Sequence, residues 1–249
     1  MTHKLETKNI TMRFGEKTII RDISIAVDEG ELVSLLGVSG SGKTTLFNCI
    51  SGIYRPVEGK VLLDGEDITG TTGHISYMLQ KDLLLPYKTI EDNVALPLII
   101  RGMGKKEARA EASKHFAEFG LEGTQKQYPK QLSGGMRQRA ALLRTWMFSD
   151  NVALLDEPFS ALDTITKGRI HRWYLDVMEK IRLTTVFITH DINEAILLSD
   201  RIYLMTGKPG EIRSEIRIRT PRGQREGFDL TEEFLEYKRQ IMQELGEAW

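Results

Sequence analysis

Only one cysteine, Cys49, stands among 249 residues. That excludes an internal disulfide and suits a reducing compartment. Cys49 follows a glycine-rich loop on a helix-forming run and reads as a small buried side chain. Long apolar runs are missing as well. Stretches such as Val94-Ala95-Leu96-Pro97-Leu98-Ile99-Ile100 fall far short of the roughly 20 residues that span a bilayer. The opening Met1–Lys8 carries no signal-peptide core, so neither a spanning helix nor secretion is expected. Excess charge of one sign is absent too. The 34 Lys+Arg against 35 Asp+Glu leave a net charge of −1, without the basic footprint of a nucleic-acid binder. Neither a low-complexity tract nor an internal repeat occurs. The chain is 41 % hydrophobic and 28 % charged, enough to bury a sizeable core as one domain, with or without a subdomain.

What is present centres on Gly37-Val38-Ser39-Gly40-Ser41-Gly42-Lys43-Thr44-Thr45. It fits the phosphate-loop pattern G-x-x-x-x-G-K-[ST]. Glycines admit backbone conformations closed to other residues and let the chain approach a ligand. The loop's N–H groups and the following helix N-terminus form a nest for anionic oxygens. Lys43 adds a point charge for the outer phosphates, and the Thr44 hydroxyl can ligate Mg2+. The apolar run Leu32–Leu36 enters the loop and Leu46–Ile50 leaves it, the strand–loop–helix setting the motif needs.

Residues 3–28 alternate in the manner of two strands around Gly15-Glu16. Phe14, beside that turn, is either a stacking platform for a base or a hairpin core aromatic. Gly52 reads as a helix C-cap, and Glu58–Gly65 as a strand closed by an Asp-Gly turn. A strand over His74–Leu79 ends at Gln80, whose amide is placed toward the ligand crevice of an α/β sheet. Strand patterns stop over 89–148. Thr89–Ile100 and Lys105–Phe119 read as helices, the second with Ala108, Ala112, Phe116 and Phe119 on one face. This reads as a helical subdomain (about 89–149) inserted into a nucleotide-binding core (about 1–88 and 150–220). It ends in Leu132-Ser133-Gly134-Gly135-Met136, where Ser133 can cap a helix and the two glycines expose N–H groups, a second built-in anion site.

Val152–Leu155 is a continuous apolar run, the mark of a strand buried on both faces. It delivers Asp156 and Glu157. Beside a phosphate loop, Asp156 is placed to hold Mg2+, directly or through water, and Glu157 to polarise an attacking water, a role that contributes roughly 10²–10⁴ in rate. Thr185–Thr189 is a second buried strand and delivers His190 toward the γ-phosphate. Strand candidates at Arg201–Met205 and Glu211–Ile216, a polar connector in the 220s and a closing helix over Thr231–Leu245 complete the chain, with 221–249 a C-terminal appendage.

This ordered set resembles the ATP-binding cassette (ABC) ATPases over roughly residues 4–220. The resemblance implies an α/β fold: a P-loop NTPase core of mixed sheet with an antiparallel β subdomain, plus the inserted helical subdomain. It implies ATP and Mg2+ as ligands. Phe14 would stack on adenine, and Gly37 to Thr45 would be the Walker A loop. Gln80 would sense Mg2+ and the transport partner. Ser133, Gly134 and Gly135 would contact the γ-phosphate bound to a second copy of the chain. Asp156 would be the Walker B aspartate, Glu157 the catalytic glutamate, Asp163 the D-loop residue and His190 the switch histidine.

A finer resemblance, carried by Asp82–Tyr87, Asn93–Leu98, Asp156–Phe159, Thr189–Ala195 and Gly207–Ile212, is to importers of nitrate, sulfonates and taurine and of pyrimidine-type thiamine precursors. One common form in that branch has Trp at Tyr87 and Gly at Ser160. Implied partners are a second copy, membrane permease subunits and, indirectly, a solute-binding protein. The implied location is the cytoplasmic face of the membrane, peripherally bound. The competing expectation is a soluble ABC ATPase of repair or translation, which calls for paired cassettes, a coiled-coil insertion or zinc-ligand cysteines.

Overall fold

The computed structural model describes residues 3–149, 151–160 and 164–246. Two sheets organise them. β1 (Leu5–Phe14) and β2 (Lys17–Val27) form a hairpin, and after β3 (Leu32–Gly37) and α1 (Lys43–Ile50) the chain adds β4 (Glu58–Leu63) and β5 (Glu66–Asp67). These four hairpin strands make an antiparallel sheet in the order β2-β1-β4-β5. The turn joining β4 to β5 is Asp64-Gly65, both with positive φ (51° and 82°), as a two-residue primed turn demands.

The second sheet collects β3, then β6 (Ser76–Met78), β7 (Val152–Asp156), β8 (Thr184–Thr189), β9 (Arg201–Thr206) and β10 (Glu211–Arg217) in the order β10-β9-β3-β8-β7-β6. β9, β3, β8, β7 and β6 run parallel and β10 is antiparallel at one edge. Every residue of β3, β7, β8 and β9 is buried, which is why β3 and β7 read as mainly apolar runs rather than alternating ones. α1 lies between the two sheets. Its Leu46, Phe47, Cys49 and Ile50 share one apolar cluster with Ile10, Ile23 and Ile25 of the first sheet and Val33, Leu35 and Val186 of the second.

Helices α2 (Ile90–Val94), α3 (Leu96–Ile100), α4 (Lys105–Ser113) and α5 (Gly134–Phe148) come after β6. Thr89 caps α2 by accepting from Asp92 N, with Glu91 and Asp92 in the first turn against the positive dipole end. The expected single helix over 89–100 is divided at Ala95, with Pro97 in the first turn of α3, where its missing N–H costs nothing. The expected helix over 105–119 stops at Ser113. Beyond it Lys114, His115 and Phe116 bond three residues back rather than four. That tightening carries Phe116 and Phe119 into a cluster with Leu142 and Leu143 of α5 and with Tyr174 and Val177 of α6 (Thr164–Ile181). α7 (Ile192–Leu198) and α8 (Glu232–Gly246) enclose a third cluster against β9 and β10, including Ile196, Ile202, Ile216 and Ile241.

The parallel register aligns the strand ends. Leu36 pairs with Thr189, Met78 with Leu155, and Asp156 with Ile188. The carboxyl ends of β3, β7 and β8 therefore lie level on one sheet edge, with β6 ending beside them. In an open α/β sheet that edge is where ligands bind.

Candidate functional site

Gly37, Asp156 and His190 reach this edge from β3, β7 and β8, and Gln80 lies two residues beyond β6. The loop after Gly37 folds tightly for steric reasons. A Cβ on Gly37 would fall on the carbonyl oxygen of Met205, and one on Gly42 would come within 2.5 Å of Ile20 Cγ2. Gly42 also takes φ +95°, serves as N-cap of α1 and supplies no side-chain acceptor to it. The first turn of α1 thus faces the loop without a cap of its own, the arrangement that suits an anion.

Lys43 is 7 % exposed and donates to its own loop, to Gly37 O at 2.9 Å and Val38 O at 2.8 Å. Burial pulls its ammonium below the ordinary lysine range, opposed by the nearby carboxylates of Glu157 and Asp156. Beside it Thr44 Oγ1 donates to Asp156 Oδ2 at 3.1 Å. Burial raises the Asp156 carboxyl above its usual range. The Thr44 hydroxyl offsets part of this, while repulsion from Glu157 adds to it. A buried carboxylate paired with a threonine hydroxyl is an oxygen donor set that fits a hard divalent cation such as Mg2+.

Glu157 has φ +46°, a conformation that a non-glycine residue holds only where its surroundings impose it. Its N–H bonds to Ile188 O at 3.1 Å, and its own carbonyl accepts from Ser160 Oγ at 3.0 Å. The carboxylate is gripped from two sides: Gln80 Nε2 donates to Oε2 at 3.0 Å, and His190 Nδ1 lies 3.1 Å from Oε1. Ser39, Gly40, Gly42, Lys43, Thr44, Gln80, Asp156, Glu157 and His190 line one cavity of about 530 Å3.

Other expected residues stand apart from this cavity. Val38, Ser41 and Thr45 belong to the same loop and helix start but do not line it. Phe14 is 48 % exposed at the β1–β2 turn, its ring edge-on to Tyr54 at 5.4 Å. Ser133 caps α5 by accepting from Met136 N at 3.3 Å. Gly134 lines a neighbouring cleft that it shares with Gln80, Glu157 and His190, and Gly135 comes next in the first turn of α5. Asp163 lies outside the described residues.

Sequence reasoning missed a clamp on the loop after Gln80. From α5, Arg137 Nε meets Asp82 Oδ2 at 3.2 Å, and Arg144 donates to Asp82 O at 2.6 Å and Leu83 O at 2.8 Å. Arg137 and Arg144 are two helical turns apart, a spacing that places them on one face, but nothing in it names their target.

A family model described as ABC transporter matches residues 20–160, more than half of the chain. The chain belongs to the ABC transporter family. The formylaminopyrimidine import ATP-binding protein ThiZ of Halalkalibacterium halodurans is 42 % identical over 227 residues, 91 % of this chain and 88 % of that protein. The aliphatic sulfonates import ATP-binding protein SsuB of Bacillus cereus is 35 % identical over 239 residues, covering 96 % and 92 %. A dimeric structure of the ATP-binding cassette MJ0796, in a post-hydrolysis state bound to ADP and Pi, matches with a TM-score of 0.73 and 32 % identity, over 87 % of this chain and all of that one. As an ABC cassette this protein is an ATP-binding, ATP-hydrolysing transporter subunit. The architecture expected from its sequence, an α/β cassette with a mixed sheet, an antiparallel sheet and added helices, is the one observed.

Proposed function

We propose that this ABC cassette powers an importer: it works as a pair of identical subunits, peripherally bound on the cytoplasmic face of the membrane against separate permease subunits. The observation that carries the site assignment is the meeting of Thr44–Asp156 and Gln80–Glu157–His190 around one cavity at the phosphate loop. ATP is the substrate. The loop from Gly37 to Thr45 cradles its phosphates, Lys43 turns from its own carbonyls to the outer ones, and Phe14 offers its exposed face to the adenine. Thr44 and Asp156, with Gln80 through water, would hold Mg2+, which when bound neutralises charge on the phosphates.

Glu157 acts as the general base. It takes a proton from the attacking water at a carboxylate that Gln80 and His190 hold in place. His190 then meets the γ-phosphate. Positioning and charge stabilisation supply most of the catalysis in phosphoryl transfer. Ser133, Gly134 and Gly135 complete the site of the second copy, so each subunit holds half of two sites. ATP closes the pair, hydrolysis reopens it, and the change between two arrangements is the power stroke.

The permease contact falls in the groove between the core and residues 85–130. Ile53, Ile75, Pro97, Arg144 and Phe148 line a groove of about 300 Å3 there. Tyr87 and Ile100, 72 % and 75 % exposed, add apolar surface from the same stretch. A cytoplasmic permease helix fits such a groove. None of the described helices is long and apolar enough to cross a membrane. The names of the relatives favour a solute among small polar molecules, such as a formylaminopyrimidine or an aliphatic sulfonate, and the branch that the sequence resembles adds nitrate and taurine. An external solute-binding protein would deliver it.

Mixing subunits tests the shared site. Lys43→Ala and Ser133→Arg chains should each be inactive alone. Mixed, they form pairs in which one site has both halves intact, and turnover should appear with a maximum near equal proportions. Activity independent of the mixing ratio would refute the shared site.

A further inference from the structure

Behind Glu157 and His190 lies a buried carboxylate that the proposed chemistry does not use. Glu194, on α7, is 3 % exposed. Its Oε2 accepts from Thr189 Oγ1 at 2.7 Å, and the same hydroxyl accepts from Asp191 N at 3.0 Å. The residues on both sides of His190 are therefore tied to one carboxylate. The other oxygen, Oε1, accepts from Lys167 Nζ at 2.8 Å, and His171 Nε2 stands 3.6 Å from it, slightly long for a hydrogen bond. Lys167 also reaches Asp191 Oδ2 at 3.5 Å. Lys167 and His171 are four residues apart and share one face of α6. The His171 ring in turn meets Phe159 edge to face, centroids 4.8 Å apart, two residues after Glu157.

A buried carboxylate is costly unless it is paired and hydrogen-bonded, and an apolar residue would fill the same space at less cost. What Glu194 adds is direction. We propose that Glu194 is a positioning residue for hydrolysis: through Thr189 it fixes the backbone that bears His190, and through His171 and Phe159 it sets that backbone against the segment that bears Glu157. This rests on Glu157 being the base and His190 the γ-phosphate contact. No bond forms or breaks at Glu194; it holds the 3.1 Å contact between His190 Nδ1 and Glu157 Oε1. A misplacement of about 1 Å in such a constellation lowers a rate on the order of 10²-fold.

The test uses the full chain and the variants Thr189→Val, Thr189→Ser and Glu194→Gln. Turnover is measured at saturating ATP and Mg2+, and ATP affinity by titration. The imidazole resonances of the five histidines are tracked by NMR, with His190 assigned by its loss in His190→Gln. Thr189→Val, nearly isosteric, should lower kcat at least about tenfold, leave the ATP Kd within about twofold and move the His190 resonance. Thr189→Ser, which restores the hydroxyl, should return all three toward the parent. Glu194→Gln, which keeps one acceptor for Thr189, should fall between. Parental turnover and an unmoved His190 resonance in Thr189→Val would overturn the inference, as would failure of Thr189→Ser to restore the rate. A parent that binds ATP without hydrolysing it would instead strike the role of Glu157, and the His190 resonance would still decide the positioning claim.

Discussion

His190 Nδ1 lies 3.1 Å from Glu157 Oε1 across 33 residues of sequence. The contact joins the ends of β7 and β8, adjacent parallel strands whose register pairs Asp156 with Ile188. It fixes one imidazole nitrogen and leaves Nε2 as the ring's remaining polar atom. If that nitrogen serves the γ-phosphate, His190→Ala should lower kcat on the order of 10²–10³-fold, as loss of one preorganised charge-stabilising donor does. The ATP Kd should stay within about threefold. Parallel measurement of turnover and nucleotide affinity separates the two effects, and turnover close to the parental rate would remove His190 from the mechanism.

Gly42 makes a different prediction. With φ +95° and Ile20 Cγ2 2.5 Å from the position of a Cβ, Gly42→Ala meets both backbone strain and a clash. Stability should fall by about 1–3 kcal/mol. ATP affinity should fall at least about tenfold, because the loop cannot hold the same course. Denaturant unfolding and nucleotide titration read the two losses separately.

Much of the site is legible in the sequence for a physical reason. A strand buried on both faces reads as a mainly apolar run, and the polar residues that follow it stand out: Asp156 directly after Val152–Leu155, His190 directly after the strand Thr185–Thr189. The phosphate loop is legible because Gly37 and Gly42 are sterically compelled. The contacts between these residues are not legible. Nothing local says that Gln80 donates to Glu157 77 positions away, or that Glu157 holds a positive φ. The Arg144 clamp on the carbonyls of Asp82 and Leu83 is made to backbone, which carries no sequence signal. The end of α4 at Ser113 escapes the sequence pattern because Phe116 and Phe119 keep the helical period; a tightened turn delivers both to the core as well as a further helical turn would. Glu194 reads in sequence as one acid at the start of a helix, since its pairing with Lys167 exists only once α6 packs on α7.

That pairing has a pH signature. Burial alone would raise the Glu194 carboxyl, but the His171 imidazole beside it and hydrogen bonds from Lys167 and Thr189 outweigh it and hold the value at about 2, below the ordinary 4.5. A depressed carboxylate contributes stability above its unfolded value and loses it as pH falls through the folded one. Glu194 should therefore contribute about 3 kcal/mol at neutral pH, lost between about pH 4.5 and pH 2. Glu194→Gln should be less stable than the parent at pH 7, with the difference shrinking over that acid window. Urea unfolding of both chains across the window measures it. A difference that stays constant with pH would contradict the assignment.

Glu157→Gln tests the central claim most directly. The amide keeps the shape and a hydrogen-bonding partner for Gln80 and His190 but cannot take the water's proton. The measurement is the molar mass of Glu157→Gln in solution, with and without ATP and Mg2+, beside its turnover. The expected result is a dimer formed only with ATP and Mg2+, ATP affinity near that of the parent, and turnover reduced by at least about 10². Parental turnover would contradict Glu157 as the base, and a chain that stays monomeric with ATP bound would contradict closure of the pair by ATP.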